Sequence, residues 1–227
     1  MFYRPYTLAA LAALAVAPAQ ADTLAQWNFN DSNLVVDLGA GTAALAGGAT
    51  TSGFNSGSGS SDPVQPGIGW SISTFPAQST GDKTRGAEFT VSTVGFEDVV
   101  FSYDMRHSNT ASRYETVQFS VDGLSFTDLV TFDTMVGAVF VNGRTVDLSA
   151  YAAAENAAAL TLRVVASFAP GTGAYEGTAG AYGTSGTMRF DMVTFTASPA
   201  TVVPEPGSLA LLLAGLATVG FVARRRG

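Results

Sequence analysis

The sequence predicts an all-β fold, an antiparallel β-sandwich of jelly-roll type, and three observations carry this prediction. Apolar and polar residues alternate with a period of two through many short segments, as strands with one buried face require. Turn signals such as Asp122-Gly123 and Asn142-Gly143 separate these segments. Helical patterning is weak, because only the alanine-rich stretch 148–159 could form a short helix. Many short strands around one core are typical of a sandwich.

The alternation is clearest in the middle of the chain, where Val99, Phe101, Tyr103 and Met105 occupy every second position. The segments predicted as strands, in chain order, are 25–29, 68–73, 88–93, 99–105, 117–121, 129–132, 136–141, 160–168 and 188–196. Two other segments are predicted to be loops from their composition. Residues 51–61 contain eight Gly or Ser, and residues 171–187 contain six glycines.

Length and composition favour one domain and exclude several classes of function. The 227 residues contain no cysteine, so a disulfide framework, a thiolate nucleophile and a Cys-type zinc site are excluded. Between residues 22 and 202 there are 17 acidic and 7 basic side chains. This negative charge repels nucleic acid and anionic lipid, so we expect neither as a partner.

The N-terminus has the three parts of a secretory signal peptide. Arg4 precedes the apolar run 7–17, and small residues, Ala19 and Ala21, stand where a signal peptidase reads its substrate. We therefore predict that residues 1–21 are removed and that the mature protein begins at Asp22.

The C-terminus combines a proline-flanked glutamate, a short apolar stretch and a basic cluster. Pro204, Glu205 and Pro206 precede sixteen uncharged residues, 208–223, and the cluster Arg224, Arg225 and Arg226 follows at once. A helix of sixteen residues is about 24 Å long, which is shorter than the roughly 30 Å hydrocarbon core of a bilayer. Arginines after such a helix act as a stop-transfer signal on the cytoplasmic side and leave the preceding domain outside. The predicted organisation is signal peptide 1–21, β-sandwich domain 22–200 and sorting or anchor segment 201–227.

This order of elements in residues 203–227 resembles the PEP-CTERM sorting signal of Gram-negative bacteria. The resemblance implies that a membrane enzyme called an exosortase reads Pro204, Glu205 and Pro206, while the apolar helix anchors the chain transiently. It also implies export to the cell surface or extracellular matrix of bacteria that make exopolysaccharide. An ordinary single-pass anchor is the alternative explanation for the same residues.

A second resemblance concerns the middle of the chain. The run 117–123 followed by Phe126, and the closing segment 189–193, are similar to patterns in secreted jelly-roll domains of the galactose-binding-like type. Such sandwiches serve as adhesins, sugar-binding modules and spacers, so this resemblance bears on the fold more than on function.

A search for catalytic residues gives no constellation, so we predict no catalytic residue and no enzyme. The only histidine, His107, ends a predicted strand and is expected to point into solvent from a loop. Glu97, Asp98 and Glu115 come nearest to the carboxylate pair that a glycosidase needs. We interpret them as charges of turns, strand edges or solvated faces.

No cofactor is required by the sequence, but a structural calcium ion is one hypothesis, because calcium takes oxygen ligands from loops. Asn28, Asn30 and Asp31 cluster after the first predicted strand, and Asp191 lies in the last one. These two strands could be neighbours in a sandwich. Turn formation by Asn and Asp explains the first cluster equally well.

Sugar binding requires exposed aromatic faces and polar side chains that bond hydroxyl groups. Trp70 and Tyr114 are the candidate aromatic residues, and Arg113 and Asn109 are candidate polar partners. Strand-like alternation around Trp70 also fits a core residue. The first hypothesis is therefore a non-enzymatic, exported structural or adhesive protein. A carbohydrate-binding protein that retains exopolysaccharide is the alternative, and a secreted hydrolase is the least supported.

Overall fold

A computed structural model describes residues 20–200, 215–216 and 224–225. The predicted apolar helices of the two termini lie outside the described residues. Twelve strands are found between residues 22 and 199 in the described part of the chain. They are β1 (Asp22–Trp27), β2 (Leu38–Gly39), β3 (Thr42–Ala46), β4 (Thr50–Ser56), β5 (Ile68–Ser73), β6 (Gly86–Val91), β7 (Phe96–His107), β8 (Tyr114–Ser120), β9 (Thr127–Asp133), β10 (Phe140–Asp147), β11 (Leu160–Ser167) and β12 (Met188–Pro199).

The strands form two antiparallel sheets. A seven-stranded sheet has the order β10-β7-β12-β1-β2, and β5 pairs with β12 and with β4 at its side. A five-stranded sheet has the order β3-β6-β11-β8-β9. The chain passes back and forth between the sheets along its length. The prediction of an all-β fold with antiparallel sheets is confirmed.

An aromatic core fills the space between the sheets. Trp27 of β1 contacts Phe89 of β6 with ring centroids 5.4 Å apart, so the contact joins one sheet to the other. Phe89 also meets Phe190 of β12 at 5.7 Å and Trp70 of β5 at 6.2 Å. All four side chains are fully buried. Period-two alternation places these rings on the inner faces of their strands.

Several local predictions differ from the structure. Residues 51–56, part of the predicted loop 51–61, instead belong to β4, because hydrogen bonds with β5 order this segment. Asn142-Gly143 is not a turn but an irregularity inside β10, where the register with β7 shifts between Val141 and Arg144. Within 148–159 only Ala152–Ala154 is helical, as one 3-10 turn.

Both ends of the domain lie at the same end of the sandwich. Asp22, which begins β1, pairs with Ala197 of β12. Beyond it Pro199 pairs with Phe96, and the N–H of Ala200 donates to the carbonyl oxygen of Gly95 at 2.8 Å. The points at which the chain enters and leaves the domain are therefore close together.

Candidate functional site

Three buried carboxylates lie on the outer face of the seven-stranded sheet, and we call Asp62, Asp104 and Asp191 the acid cluster. Each side chain belongs to a residue at most 4% exposed. Asp104 and Asp191 are opposite each other on β7 and β12. The segment 57–67 between β4 and β5 covers them and contributes Asp62.

Hydrogen bonds satisfy two of the three carboxylates. Asp104 accepts backbone N–H groups from Ser61 at 2.5 Å and from Gly143 at 2.7 Å. Asp62 accepts the side-chain amide of Asn30 at 2.8 Å and the backbone N–H of Val64 at 2.8 Å. Asp104 therefore fastens the covering segment to the sheet, and Asp62 fastens it to the turn after β1.

Asp191 is the exception in the acid cluster. Its Oδ1 accepts the N–H of Met192 at 2.8 Å, but its buried Oδ2 has no hydrogen-bond partner. A Cβ at position 57 would lie 2.6 Å from that Oδ2, so only glycine allows the covering backbone to come this close. Burial, together with the charges of Asp62 and Asp104, raises the pKa of Asp191 to about 7. Near neutral pH this carboxylate would be stabilised by a proton or by a cation.

The acid cluster contains part of the predicted calcium site. β1 and β12 are neighbours, as that prediction required, and Asn30 reaches Asp62 beside Asp191. Asn28 instead accepts the backbone N–H of Asn30 at 3.0 Å, which is the alternative turn role, and Asp31 is exposed. In the described part of the chain, no three His, Cys, Asp or Glu side chains are arranged to hold one metal ion. Calcium here would therefore have to bind Asp191 together with neutral oxygens, and its binding stays a prediction.

A buried ionic network joins the two sheets, and it corrects two predictions. His107 does not point into solvent, and Glu115 is not on a solvated face, because both are fully buried. The Nδ1 of His107 donates to the carbonyl oxygen of Ser112 at 2.6 Å, and its Nε2 lies 3.1 Å from Glu115 Oε2. Arg144 NH1 is 3.0 Å from Glu115 Oε1. The sequence hid this network because its members come from β7, β8 and β10.

Each charged side chain of this network has at least one buried partner. Arg144 also donates to Thr134 Oγ1, and its guanidinium lies 4.7 Å from the ring centroid of Phe132. The buried Tyr103 hydroxyl donates to Glu115 Oε1 at 3.4 Å, and its pKa is raised by burial and by Glu115. A carboxylate with these partners holds the sheets together and has no free face toward solvent. Glu97 and Asp98 lie at the opposite end of β7 from His107 and are half-buried and exposed, respectively.

The outer face of the five-stranded sheet carries a line of charged and polar side chains. Glu88, Arg163, Gln118 and Asp128 are successive cross-strand partners on β6, β11, β8 and β9, and we call them the polar row. Arg163 Nε donates to Gln118 Oε1 at 2.5 Å, and Gln118 Nε2 donates to Asp128 Oδ1 at 2.5 Å. Lys83 contacts the other oxygen of Asp128 at 2.5 Å. These bonds hold planar side chains in a fixed arrangement across the sheet.

An aromatic ring and a small cavity adjoin the polar row. The guanidinium of Arg163 lies 3.6 Å from the ring centroid of Phe126. A cavity of about 250 Å³ lies between Lys83, Thr131 and the segment 168–172. Ser167 lines this cavity, and its buried hydroxyl oxygen has no hydrogen-bond partner. The outer face of the five-stranded sheet thus carries polar groups and one aromatic ring. None of these residues is among those predicted to bind sugar.

Those predicted residues do not form a binding face. Trp70 lies in the core with no exposed surface, because its strand turns it inward, so the prediction that it stacks on sugar is wrong. Arg113 is held by Asp133 and Glu176 at 2.6 Å each, and its guanidinium lies 5.2 Å from the ring centroid of Tyr114. Asn109 is exposed in the loop after β7.

The sorting residues lie mostly outside the described residues, including Pro204, Glu205, Pro206 and Arg226. Arg224 and Arg225 are described, with helical backbone. At the cleavage site, Ala19 lies outside the described residues, and Ala21 is exposed directly before β1. Within the described residues, no helix is both long and apolar enough to cross a membrane.

Comparison with protein families identifies the tail. Residues 202–226 match the model of the PEP-CTERM protein-sorting motif. The resemblance drawn from Pro204, Glu205, Pro206 and the arginine cluster is thereby confirmed, and the motif marks the chain as an exported protein. No curated protein matches the chain.

Solved structures with similar architecture have low sequence identity to this chain. An endo-1,4-beta-D-xylanase of Clostridium thermocellum, with its CBM22-1 and GH10 modules and in complex with xylohexaose, is 14% identical with a TM-score of 0.46. That match covers 80% of this chain and 30% of the xylanase chain. The CBM22-1-CBM22-2 tandem domain of Xyn10C from Paenibacillus barcinonensis is 14% identical with a TM-score of 0.46, over 84% of this chain and 50% of that one. The K1 cleaved adhesin domain of Lys-gingipain from Porphyromonas gingivalis is 14% identical with a TM-score of 0.42, over 79% and 99%. Similarities at this level indicate neither the ligand nor the activity of this chain.

Proposed function

We propose that this protein is a substrate of an exosortase-type membrane enzyme and a non-enzymatic structural or adhesive component of the cell surface or extracellular matrix of a Gram-negative bacterium. The observation that carries the proposal is the sorting motif at residues 202–226. The signal peptidase first removes residues 1–21, and the apolar stretch 208–223 then holds the chain in the inner membrane with domain 22–200 outside. Processing near Pro204-Glu205-Pro206 releases the domain or attaches it at the surface.

The described domain supports a role without catalysis. The only histidine is buried: its Nδ1 donates to the carbonyl oxygen of Ser112, and its Nε2 lies 3.1 Å from Glu115 Oε2. The acid cluster is covered by residues 57–67, and Asp104 fastens that segment to the sheet through the N–H of Ser61. His107, Glu115 and Asp104, which would be among the first candidates for general acid and base, are engaged in holding the sandwich together. We class this sandwich as jelly-roll type, because the chain crosses repeatedly from one sheet to the other.

The test replaces Pro204, Glu205 and Pro206 with alanine in the native host. The apolar stretch and its arginines stay intact, so membrane insertion should continue while processing stops. We expect the variant to accumulate in the membrane fraction with its full tail, whereas the wild type loses the tail. Mass spectrometry of the membrane, surface and medium fractions measures the two species.

A second variant provides the matched control for this test. Replacing Arg224, Arg225 and Arg226 with glutamine keeps the Pro-Glu-Pro element and removes the charges that retain the tail in the membrane. If the triple alanine variant and the wild type show the same tail-bearing species, the sorting proposal is wrong. The tail would then be an ordinary membrane anchor, sensitive only to the arginine change.

Carbohydrate binding is the second candidate function, and the polar row favours it. Polysaccharide recognition uses planar polar side chains that bond hydroxyl groups beside an aromatic surface. Glu88, Arg163 and Asp128 provide the polar groups, and Phe126 provides the ring. The buried Gln118 holds Arg163 and Asp128 in place. On this proposal the ligand is exopolysaccharide, and the protein retains it at the cell surface.

A further inference from the structure

An apolar groove lies at the end of the sandwich where the chain enters and leaves the domain. Its volume is about 540 Å³, and Leu24, Ala40, Val91, Phe96 and Ala158 provide its apolar walls. We call it the terminal groove. Val94 lies in the loop between Val91 and Phe96, which both line the groove, and its side chain is 56% exposed. Neither sheet covers this apolar surface.

The chain leaves the domain beside this groove. Pro199 pairs with Phe96, which is a wall of the groove, and the Ala200 N–H is bonded to Gly95. Two further residues of extended chain span about 7 Å. Val202 and Val203 are therefore the first apolar side chains of the tail that can reach the groove, and they directly precede Pro204.

We propose that the terminal groove binds Val202 and Val203, so that the folded domain itself presents the Pro204-Glu205-Pro206 element. The tether favours this occupant over any other, because a short linker gives the two valines a millimolar effective concentration at the groove. A second copy of the chain or a lipid surface must bind the same groove without that advantage. The acidic residues Asp22 and Asp98 at this end further disfavour an anionic lipid surface.

Docking of Val202 and Val203 sets the position of the Pro204-Glu205-Pro206 element relative to the domain. Two residues anchored in the groove leave Pro204 at its rim, and the two prolines stiffen the segment that follows. A membrane enzyme would then meet the element at a constant distance from the domain. This consequence rests on the proposed function, whereas the docking itself does not require any exosortase.

Engineered cysteines test the docking directly, since the chain has no cysteine of its own. We would combine Ala158→Cys with Val203→Cys in the full chain, exported in a host that lacks exosortase and purified with its tail in detergent. Ala158 lines the groove and is exposed, so its replacement should leave the core intact. Ala44→Cys with Val203→Cys is the matched control, because Ala44 is an exposed alanine on the outer face of the five-stranded sheet.

The expected result is an intramolecular disulfide in the groove pair that forms at least about tenfold faster than in the control pair. Non-reducing electrophoresis and peptide mass spectrometry measure it. Disulfide-linked dimers would show that a second copy fills the groove, and equal rates in the two pairs would show that the tail does not dock. Either outcome overturns the proposal while leaving the processing test of the Pro-Glu-Pro element unaffected.

A charge placed in the groove gives an independent measurement. In a chain carrying only Val203→Cys, a water-soluble thiol reagent should label Cys slowly, and adding Ala158→Glu should raise the labelling rate several-fold. Adding Ala44→Glu instead should leave the rate unchanged. Circular dichroism of each variant verifies that the domain is folded, and equal labelling rates in all three folded proteins would contradict docking.

Discussion

At the scale of single residues, Asp191 shows how a pattern can indicate a site without revealing its chemistry. The sequence predicted that Asp191 would lie beside the residues that follow the first strand, and the pairing of β1 with β12 brings it there. It could not indicate Asp62 or Asp104, because a covering segment and a distant strand bring those carboxylates to the same place. The Oδ2 of Asp191 is buried without a hydrogen-bond partner because β7, β12 and the covering segment 57–67 meet around it.

Titration of Asp191 should make stability depend on pH. The folded-state pKa of about 7 is higher than the usual 3.8, so the folded protein holds a proton between these values that the unfolded chain has released. The free energy of unfolding should therefore fall as pH rises from 4 to 8, by about 4 kcal/mol for this group. Urea denaturation of the wild type and Asp191→Asn at pH 5 and pH 8 measures the difference, which should be largest at pH 8.

The same experiment tests calcium binding. Millimolar calcium at pH 8 should restore the stability of the wild type, since a bound cation compensates the ionised carboxylate. It should leave Asp191→Asn unchanged. A wild type whose stability neither falls with pH relative to the variant nor responds to calcium would contradict both the raised pKa and the calcium hypothesis.

At the scale of strands, the ionic network of His107, Glu115 and Arg144 links β7 and β10 of one sheet to β8 of the other. Removing one partner of a buried ion pair leaves an uncompensated charge, whereas replacing both partners by apolar residues can be nearly neutral. The network therefore ties the sheets together most strongly when all its members are present.

Arg144→Ala should lower the free energy of unfolding by about 3 to 5 kcal/mol, because Glu115 stays buried without its cation. The double variant Arg144→Met with Glu115→Leu should be more stable than Arg144→Ala. Arg113→Ala, which removes a partly exposed ion pair, serves as the control and should cost much less. Chemical denaturation measures all three, and a single variant no less stable than the control would show that the network does not stabilise the sandwich.

The strands also show where sequence reasoning succeeds and where it stops. Alternation identified the strands that bury one face, such as Val99 to Met105, because apolar and polar side chains alternate along their sequence. It missed β4, whose Thr50–Ser56 sequence has little apolar alternation and gains its order from β5. It also took Asn142-Gly143 for a turn, although a glycine with φ of 67° suits a turn and a bulge equally well.

At the scale of the whole molecule, the two ends of the described domain and the terminal groove share one end of the sandwich. The sorting tail could be predicted from its sequence because its three parts are contiguous. A binding face could not, because the polar row gathers one residue from each of four strands and the predicted Trp70 is in the core.

Carbohydrate binding by this face can be tested on a glycan array with the mature protein. We expect neutral polysaccharides to bind in preference to acidic ones, because the domain is strongly negative and would repel anionic chains. Arg163→Ala removes the guanidinium that both stacks on Phe126 and orients Gln118, so binding should fall at least about tenfold. Phe126→Ala should act similarly, whereas Arg113→Ala, whose guanidinium is held by Asp133 and Glu176, should bind as the wild type does. Binding that survives both Arg163→Ala and Phe126→Ala in folded protein would place the ligand elsewhere, and an array without any bound glycan would leave the structural or adhesive role as the function of the domain.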